Sequence, residues 1–134
     1  CLAGVAFTKG LGLVHSISHM VGAEYNTQHG LTNAIILPAV MKFNLPHVGE
    51  KVRYISQAMD LNEASSSTIL EDIGKILDYV DIPRSLSEIG VPLECKRRIA
   101  EKAMLDSATG TNPRVAKVDD IEELTEISIL HARE

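Results

Sequence analysis

The sequence predicts an all-α fold, a bundle of amphipathic helices, and three observations support this prediction. Apolar residues make up 45% of the 134 residues, and in most segments they recur at helical spacing. Aromatic residues make up only 4%, so the core must be built from aliphatic side chains, which favours helices over a β-sandwich. No stretch alternates apolar and polar residues for long enough to predict a half-buried strand. The length suits a single domain.

The first 22 residues predict a helical segment with one interruption. Glycine lowers helix propensity but allows another backbone to approach closely. We therefore expect tight packing here, together with a break in the helix near Gly10 and Gly12. The recurrent apolar face of this segment consists of Leu2, Val5, Ala6, Leu13, Val14 and Ile17.

A polar loop and then a buried helix are expected next. Residues 23–32 are mostly polar and predict the loop. The helix is expected over residues 33–44, because Asn33 is a suitable N-cap and the segment after it is apolar on every side. Pro38 predicts either a bend in this helix or a later start.

Two further helices are expected in the middle of the chain. The first covers residues 46–59 and begins at Pro46. The second covers residues 68–80, where Thr68 and Glu71 have the spacing of a capping box. The apolar stripe of this second helix consists of Ile69, Leu70, Ile73, Ile76, Leu77 and Val80.

The C-terminal part of the chain predicts a short helix over residues 85–90 and a longer helix over residues 92–106. Residues 109–114 combine strong turn formers and predict a loop. Asp119 and Glu122 again have capping spacing and are expected to open the last helix. The buried side of that helix is expected to consist of Ile121, Leu124, Ile127 and Leu130.

The charge balance bears on the partners of the protein. Thirteen Lys and Arg stand against eighteen Asp and Glu, and a net charge of −5 repels nucleic acid and anionic membrane surfaces. The basic cluster Lys96–Arg98 is flanked by acidic residues, which indicates a solvated helix face rather than a phosphate site. The longest apolar run, from Ala34 to Met41, is too short to span a bilayer. We therefore expect neither nucleic acid nor a membrane as a partner.

The two cysteines bear on the cellular compartment of the protein, and the first residue bears on whether the chain is part of a longer protein. Cys1 and Cys95 are far apart in sequence and do not form a disulfide framework. A reducing compartment, the cytoplasm, is therefore the simpler expectation. Residue 1 is not methionine, and the first apolar segment starts at once, so we expect this chain to be the C-terminal part of a longer protein.

Three histidines, His15, His19 and His29, form the strongest candidate site. Neutral imidazole is the commonest protein ligand for zinc and divalent iron. On a helix His15 and His19 share one face, and His29 is expected after a loop, with Gly30 allowing a tight turn beside it. All three could bind one metal ion, or two could bind it together with ligands from elsewhere. His47 is expected at the surface.

Four segments around these histidines resemble the signature region of the iron-containing (group III) alcohol dehydrogenases. Their sequences are AGVAF (3–7), GLGLVHSISHMVGA (10–23), YNTQHG (25–30) and NAIILP (33–38). A weaker similarity continues through Asp106 and through TNPR at 111–114 to the end of the chain. The resemblance implies that residues 1–134 are the single all-helical, dehydroquinate synthase-like metal-site domain of such an enzyme, and that its N-terminal nucleotide-binding domain is absent.

The resemblance also implies roles for the three histidines. In the family, divalent iron or sometimes zinc is held by one aspartate and three histidines. His15 and His29 match two of these metal ligands, whereas the aspartate and the remaining histidine come from an upstream helix that this chain lacks. His19 matches a histidine that lies near the nicotinamide. It is therefore expected to bind the cofactor and to act as a catalytic proton carrier. The alternative for His19 is a packing residue that donates to a backbone carbonyl.

The activity that the resemblance implies is the interconversion of a small alcohol and its aldehyde or ketone, with hydride transfer to or from NAD or NADP. Taken alone, the chain is expected to be inactive. Tyr25 and Asn26 are candidates for the substrate pocket, with turn formation favoured for Asn26. Arg114 is a candidate partner for Asp106.

Two other functions are open at this point. One is an enzyme like the zinc-dependent glycerol dehydrogenases. The other is a non-catalytic helical domain that pairs with a partner subunit through an exposed apolar surface. Association with the missing domain, or with a second copy as a homo-oligomer, is expected in the enzymatic case.

Overall fold

The computed structural model describes residues 1–131, with only the backbone described for residues 2 and 3. Its α-helices are α1 (Leu2–Phe7), α2 (Leu13–Tyr25), α3 (His29–Asn44), α4 (Lys51–Ala58), α5 (Ser66–Tyr79), α6 (Lys96–Met104) and α7 (Val118–Leu130). Single 3-10 turns cover Leu45–His47, Ser87–Ile89, Leu93–Cys95 and Ser107–Thr111. Residues 1–131 contain no strand, so the prediction of an all-α fold is confirmed.

Four helices, α2, α3, α6 and α7, enclose the core. The helix α2 packs against α3 and α6, and α7 packs against α6 and α3. Aliphatic side chains fill the space between them, as the low aromatic content predicts. The largest fully buried members of this cluster are Leu13, Ile17, Ile35, Ile36, Leu86, Ile99, Ile121 and Ile129. Burial of these side chains is the main stabilising contribution to the bundle.

The helices α2 and α3 form a tight hairpin. The helix α2 ends at Tyr25 and is capped by Asn26, which has a left-handed backbone (φ 52°) and donates its N–H to the carbonyl of Gly22 at 2.9 Å. The side chain of Gln28 then caps α3 by accepting the N–H of Leu31. The predicted loop over residues 23–32 is therefore wrong, since only residues 26–28 are outside helices.

Asn33, Gly30 and Pro38 do not set the start of α3 in the ways that the sequence suggested. Asn33 is not an N-cap, because α3 begins at His29 and Asn33 lies one turn inside it. Gly30 makes no tight turn beside His29, because it is helical. Pro38 does not delay the start of the helix, which runs through it to Asn44.

The N-terminal segment breaks where the glycines predict it. The helices α1 and α2 are separated by residues 8–12, and Gly10 has a φ of 91°, which favours glycine. The expectation of tight packing before the break is wrong. The side chains of Val5 and Phe7 are 63% and 66% exposed, because no helix among residues 1–131 covers this face of α1.

The helices α4 and α5 begin at other residues than the sequence predicted. A 3-10 turn at Leu45–His47 precedes α4, which begins only at Lys51. The helix α5 is capped by the Ser65 hydroxyl, which accepts the N–H of Thr68 at 3.1 Å, and not by Thr68 with Glu71. The predicted apolar stripe of α5 is only half covered. Ile69 and Leu77 are buried, whereas Ile76 and Val80 are 52% and 53% exposed.

The C-terminal elements follow the predicted order with shifted limits. The short helix over 85–90 is the 3-10 turn Ser87–Ile89, and the helix over 92–106 is divided between Leu93–Cys95 and α6. The N–H of Lys117 donates to the Asp120 carboxylate at 2.7 Å, so α7 does not open with Asp119 and Glu122.

The buried face of α7 is also rotated relative to the expected one. Ile121 and Leu124 are buried as expected, but Ile127 and Leu130 are 36% and 40% exposed. The polar residues Thr125 and Ser128 are fully buried instead, because their hydroxyls donate to helix carbonyls one turn earlier at 2.7 Å.

The basic cluster lies on a solvated face of α6, as its flanking acidic residues predict. Arg97 pairs with Glu122 of α7 at 2.9 Å, and Arg98 pairs with Glu24 of α2 at 2.8 Å. Lys102 reaches the same Glu24 carboxylate at 2.7 Å, and the pKa of Glu24 is lowered by these hydrogen bonds. Within residues 1–131, no helix has the length and hydrophobicity that a bilayer crossing requires.

Candidate metal centre

The three histidines singled out in the sequence lie together on the hairpin of α2 and α3. His15 and His19 are one turn apart on α2, and His29 is the first residue of α3. The ring centroids are 5.9 Å apart for His15 and His19, 5.3 Å for His15 and His29, and 5.4 Å for His19 and His29. The short connection at residues 26–28 is what sets His29 against the other two rings.

Asn33 lies between two of the imidazoles. Its side-chain nitrogen Nδ2 is 3.0 Å from Nε2 of His29 and 3.4 Å from Nε2 of His15. An amide nitrogen is a donor only, so both Nε2 atoms present their lone pairs to the same small region. The side-chain oxygen Oδ1 of Asn33 is buried and has no hydrogen-bond partner. The positively polarised nitrogen of Asn33 thus lies close to both Nε2 atoms.

Sequence reasoning missed Asn33 and Ser18. Ser18 is fully buried on α2, and its Oγ is 3.1 Å from Nδ1 of His29. A signal for Asn33 was available, because it lies four residues after His29 and shares its face if the helix starts early enough. No comparable signal existed for Ser18, since its contact depends on how closely α2 and α3 approach each other.

Asp106 is the partner of His19. The Nδ1 atom of His19 is 2.9 Å from Oδ2 of Asp106, and the other carboxylate oxygen accepts the N–H of Ala108 at 2.8 Å. The expected packing bond from His19 to a backbone carbonyl is therefore replaced by a bond to a carboxylate. The candidate pair of Asp106 with Arg114 does not form. The Arg114 guanidinium lies 3.8 Å from the Phe43 ring centroid and donates to the Phe43 carbonyl at 3.3 Å.

Electrostatics keep one of the imidazoles neutral. Burial lowers the pKa of His15, the neighbouring His29 and His19 lower it further, and Asp106 opposes them. Burial alone would raise the pKa of Asp106, but its hydrogen bonds from His19 and from the Ala108 N–H outweigh burial and lower it. The arrangement therefore favours a neutral His15, the form that binds metals, beside an ionised Asp106.

The donor set fits part of a metal site. Within residues 1–131, no three His, Cys, Asp or Glu side chains form a group that could hold a metal ion. The Nε2 atoms of His15 and His29 converge on the Asn33 amide, and His19 contacts Asp106 through Nδ1. A catalytic metal ion takes at least three protein ligands. Residues 1–131 therefore do not by themselves present a complete catalytic metal site, and both options that the sequence left open stay predictions.

Tyr25 and Asn26, the candidate pocket residues, have structural partners. The Tyr25 hydroxyl accepts a hydrogen bond from Arg98 at 3.2 Å, and contact with the Cys95 thiol raises the pKa of Tyr25. Asn26 is the left-handed C-cap of α2, which confirms the expected role in a turn. His47 is exposed, as expected.

Residues 1–131 thus form an all-helical bundle with three imidazoles gathered on one helical hairpin. Residues 1–129 match the model of the Fe-containing alcohol dehydrogenase family, C-terminal part. The chain belongs to this family.

Curated relatives support this assignment. The chain is 42% identical over 131 residues to lactaldehyde reductase from Escherichia coli strain K12, an alignment that covers 92% of this chain and 34% of that protein. It is 38% identical over 130 residues to NAD-dependent methanol dehydrogenase from Bacillus methanolicus, covering 92% of this chain and 34% of the relative. The chain thus spans about a third of the length of the curated relatives it matches.

Solved structures share the fold. Alcohol dehydrogenase from Oenococcus oeni superposes with a TM-score of 0.86 at 28% identity, covering 95% of this chain and 35% of that one. A 1,3-propanediol oxidoreductase superposes with a TM-score of 0.84 at 28% identity, covering 89% of this chain and 33% of that one. The bundle of helices is therefore the fold of this family's C-terminal part.

Proposed function

We propose that this chain is the metal-site domain of an NAD(P)-linked alcohol dehydrogenase. The enzyme interconverts a small alcohol and its aldehyde or ketone by hydride transfer. Family membership supports this proposal, and the relatives are named as a lactaldehyde reductase and an NAD-dependent methanol dehydrogenase. The single observation that carries it is the convergence of the His15 and His29 Nε2 atoms on the side-chain nitrogen of Asn33.

His15 and His29 would hold a divalent metal ion, iron or zinc, through these Nε2 atoms. An aspartate and a third histidine from outside residues 1–134 would complete the ligand set, as the resemblance implies. A bound ion of this kind supplies Lewis acidity, which lowers the pKa of an alcohol hydroxyl. The lowered pKa of His15 keeps its lone pair free for this role at neutral pH.

His19 would handle the proton and border the nicotinamide. The Nδ1–H of His19 donates to Asp106. The lone pair of Nε2 is then available to accept a proton. The hydrogen bond to the ionised carboxylate holds the imidazole in this orientation. The His19 side chain is 37% exposed, so the proton can pass from it to solvent.

The remaining parts of the proposal concern the rest of the protein. Residues 1–134 would belong to the all-helical metal-site domain, and an N-terminal domain would bind the dinucleotide. We also propose that the enzyme forms a homo-oligomer and is located in the cytoplasm. The location is supported by the cysteines, since Cys1 is exposed and Cys95 is buried, both as free thiols. The relatives are of the iron type, which favours this enzyme over a zinc-dependent glycerol dehydrogenase.

The test is a Zn²⁺ titration of the chain, followed by side-chain ¹⁵N resonances of its five histidines. We expect Zn²⁺ to shift the Nε2 resonances of His15 and His29, with weak affinity because only two ligands are present. His15→Ala should abolish the shift at His29, whereas His47→Ala, at an exposed histidine, should leave it unchanged. Shifts confined to histidines other than His15 and His29 would overturn the proposal.

A further inference from the structure

We infer that Ser18 is a positioning residue that fixes the tautomer of His29, so that Nε2 of His29 is the nitrogen available to a metal ion. This inference rests on the proposed metal site. Ser18 lies on α2 beside His19, its side chain is fully buried, and its Oγ is 3.1 Å from Nδ1 of His29. None of the metal ligands implied by the family resemblance is a serine.

The tautomer follows from the two contacts that His29 makes. A neutral imidazole carries one N–H, so one ring nitrogen donates and the other accepts. Asn33 Nδ2, a donor, is 3.0 Å from Nε2 of His29, so Nε2 is the acceptor. The proton is then on Nδ1 and is donated to the Ser18 hydroxyl oxygen, which has lone pairs to accept it.

The burial of the two residues shows which one positions the other. His29 is an exposed residue at the first position of α3, and its ring is in contact with the His15 and His19 rings. Ser18 is held inside the hairpin on a helix that packs against both α3 and α6. The buried hydroxyl therefore selects the orientation and protonation pattern of the more exposed ring. Hydrogen bonds of this kind to the second nitrogen are usual for metal-binding histidines.

Loss of the hydroxyl should therefore weaken metal binding without removing a ligand. In Ser18→Ala, His29 can adopt the form with the proton on Nε2, which has no lone pair there for a metal ion. Partners of ligating histidines typically contribute 10- to 100-fold in metal affinity. We expect the dissociation constant for Zn²⁺ to rise about tenfold, the lower end of this range, because the hydroxyl is a neutral partner.

Ser16 provides a matched control on the same helix. It is also fully buried, and its hydroxyl donates to the carbonyls of Leu13 and Gly12 at 3.3 and 3.5 Å. Ser16→Ala thus removes an equally buried hydroxyl from α2 but leaves His29 with all its hydrogen bonds. A general effect of losing a buried serine would be the same in both variants.

The experiment combines two measurements on the ¹⁵N-labelled chain of residues 1–134. The first is a two-bond ¹H–¹⁵N spectrum of the imidazoles at about pH 8, above the ordinary histidine pKa, which shows which nitrogen carries the proton. We expect Nδ1–H for His29 in the wild type and in Ser16→Ala, and a shift towards Nε2–H in Ser18→Ala. The second is a titration with Zn²⁺ alone, where only Ser18→Ala should show the tenfold weaker binding.

The outcomes separate this inference from the proposed function. A wild-type His29 with its proton on Nε2, or an unchanged tautomer in Ser18→Ala, would overturn the inference even if Zn²⁺ binds at His15 and His29. An altered tautomer with unchanged Zn²⁺ affinity would overturn it too, because the ring would then not need positioning. If Zn²⁺ leaves both histidines unshifted in the wild type, the metal site itself is refuted, and the role of Ser18 towards it falls as well.

Discussion

His19 and Asp106 are 87 residues apart in sequence, and their side chains meet at 2.9 Å between Nδ1 and Oδ2. Asp106 follows α6 and caps the 3-10 turn Ser107–Thr111 through the N–H of Ala108. One carboxylate thus holds the end of α6, the turn after it and the outer face of α2 in register. Its exposed fraction is only 14%, so solvent screens these hydrogen bonds incompletely.

Asp106→Asn should lower the free energy of unfolding at neutral pH by about 1 kcal/mol. The amide keeps an acceptor for the Ala108 N–H but replaces the charged acceptor for His19. Urea denaturation measures the loss. Asp119→Asn is the control, because that carboxylate is 87% exposed in its ion pair with Arg97, and a change below about 0.5 kcal/mol is expected.

The same pair gives a pH dependence of defined sign. The pKa of Asp106 is lower in the folded chain than its ordinary value of about 3.9. The stabilising contribution of the carboxylate is therefore fully present above about pH 4 and is lost as the pH falls through the lowered value. The difference between wild type and Asp106→Asn should shrink on acidification below about pH 4. A difference that grows instead would contradict the assignment.

Asn112 connects the start of α2 to the end of α3, and its replacement should be costly. Its Oδ1 accepts from the Leu13 N–H at 3.2 Å and from Asn44 at 3.0 Å, while its Nδ2 donates to Asn44 at 2.8 Å and to the Arg114 carbonyl at 2.7 Å. Asn112→Ala leaves the buried amide of Asn44 unpaired, so we expect a loss of about 2–3 kcal/mol in urea denaturation.

Asn62→Ala is the matched control for this substitution. Asn62 is exposed in the connection between α4 and α5, and its replacement should change the unfolding free energy by less than about 0.5 kcal/mol. Equal stability of Asn112→Ala and Asn62→Ala would show that the four hydrogen bonds of Asn112 contribute nothing net.

Two glycine-to-alanine substitutions should act in opposite directions. A Cβ at Gly12 would lie 2.9 Å from Oδ1 of Asn112, an oxygen that its hydrogen bonds hold in place, so Gly12→Ala should cost about 1–2 kcal/mol. A Cβ at Gly74, inside α5, meets nothing within 4 Å, and Gly74→Ala should stabilise by about 0.5–1 kcal/mol. Thermal unfolding of both variants measures these effects. A stabilising Gly12→Ala would rule out the close contact with Asn112.

Helical periodicity predicted the fold class well but predicted the limits of the helices poorly. The hairpin shows the reason. Residues 23–32 are polar because several of them pair with charged neighbours or cap a helix, as Glu24 and Gln28 do. Asn33 therefore resembled a cap, although it is a helical residue beside two imidazoles. Similarly, Ile127 and Leu130 continue the apolar period of α7 but lie outside the core. Periodicity predicts which face of a helix is apolar, but it does not predict which other helix packs against that face.

The candidate site was predictable only in its local part. His15, His19 and His29 are close in sequence, and helical spacing with the family resemblance selected them. The partners of His19 and His29 depend on contacts between helices, which spacing does not encode. Asp106 was noticed in the sequence, but as a partner for Arg114, whose charge is instead placed over the ring of Phe43. Choosing among several possible partners of one carboxylate requires the packed structure.

The short connection at residues 26–28 has a consequence for folding. Closing so small a loop costs little chain entropy, and contacts between residues near in sequence form fastest. His15 and His29 should therefore meet as soon as the helical hairpin forms. Asp106 can reach His19 only after α6 has docked. The contact between His15 and His29 should thus form early in folding. The contact between Asp106 and His19 should form later.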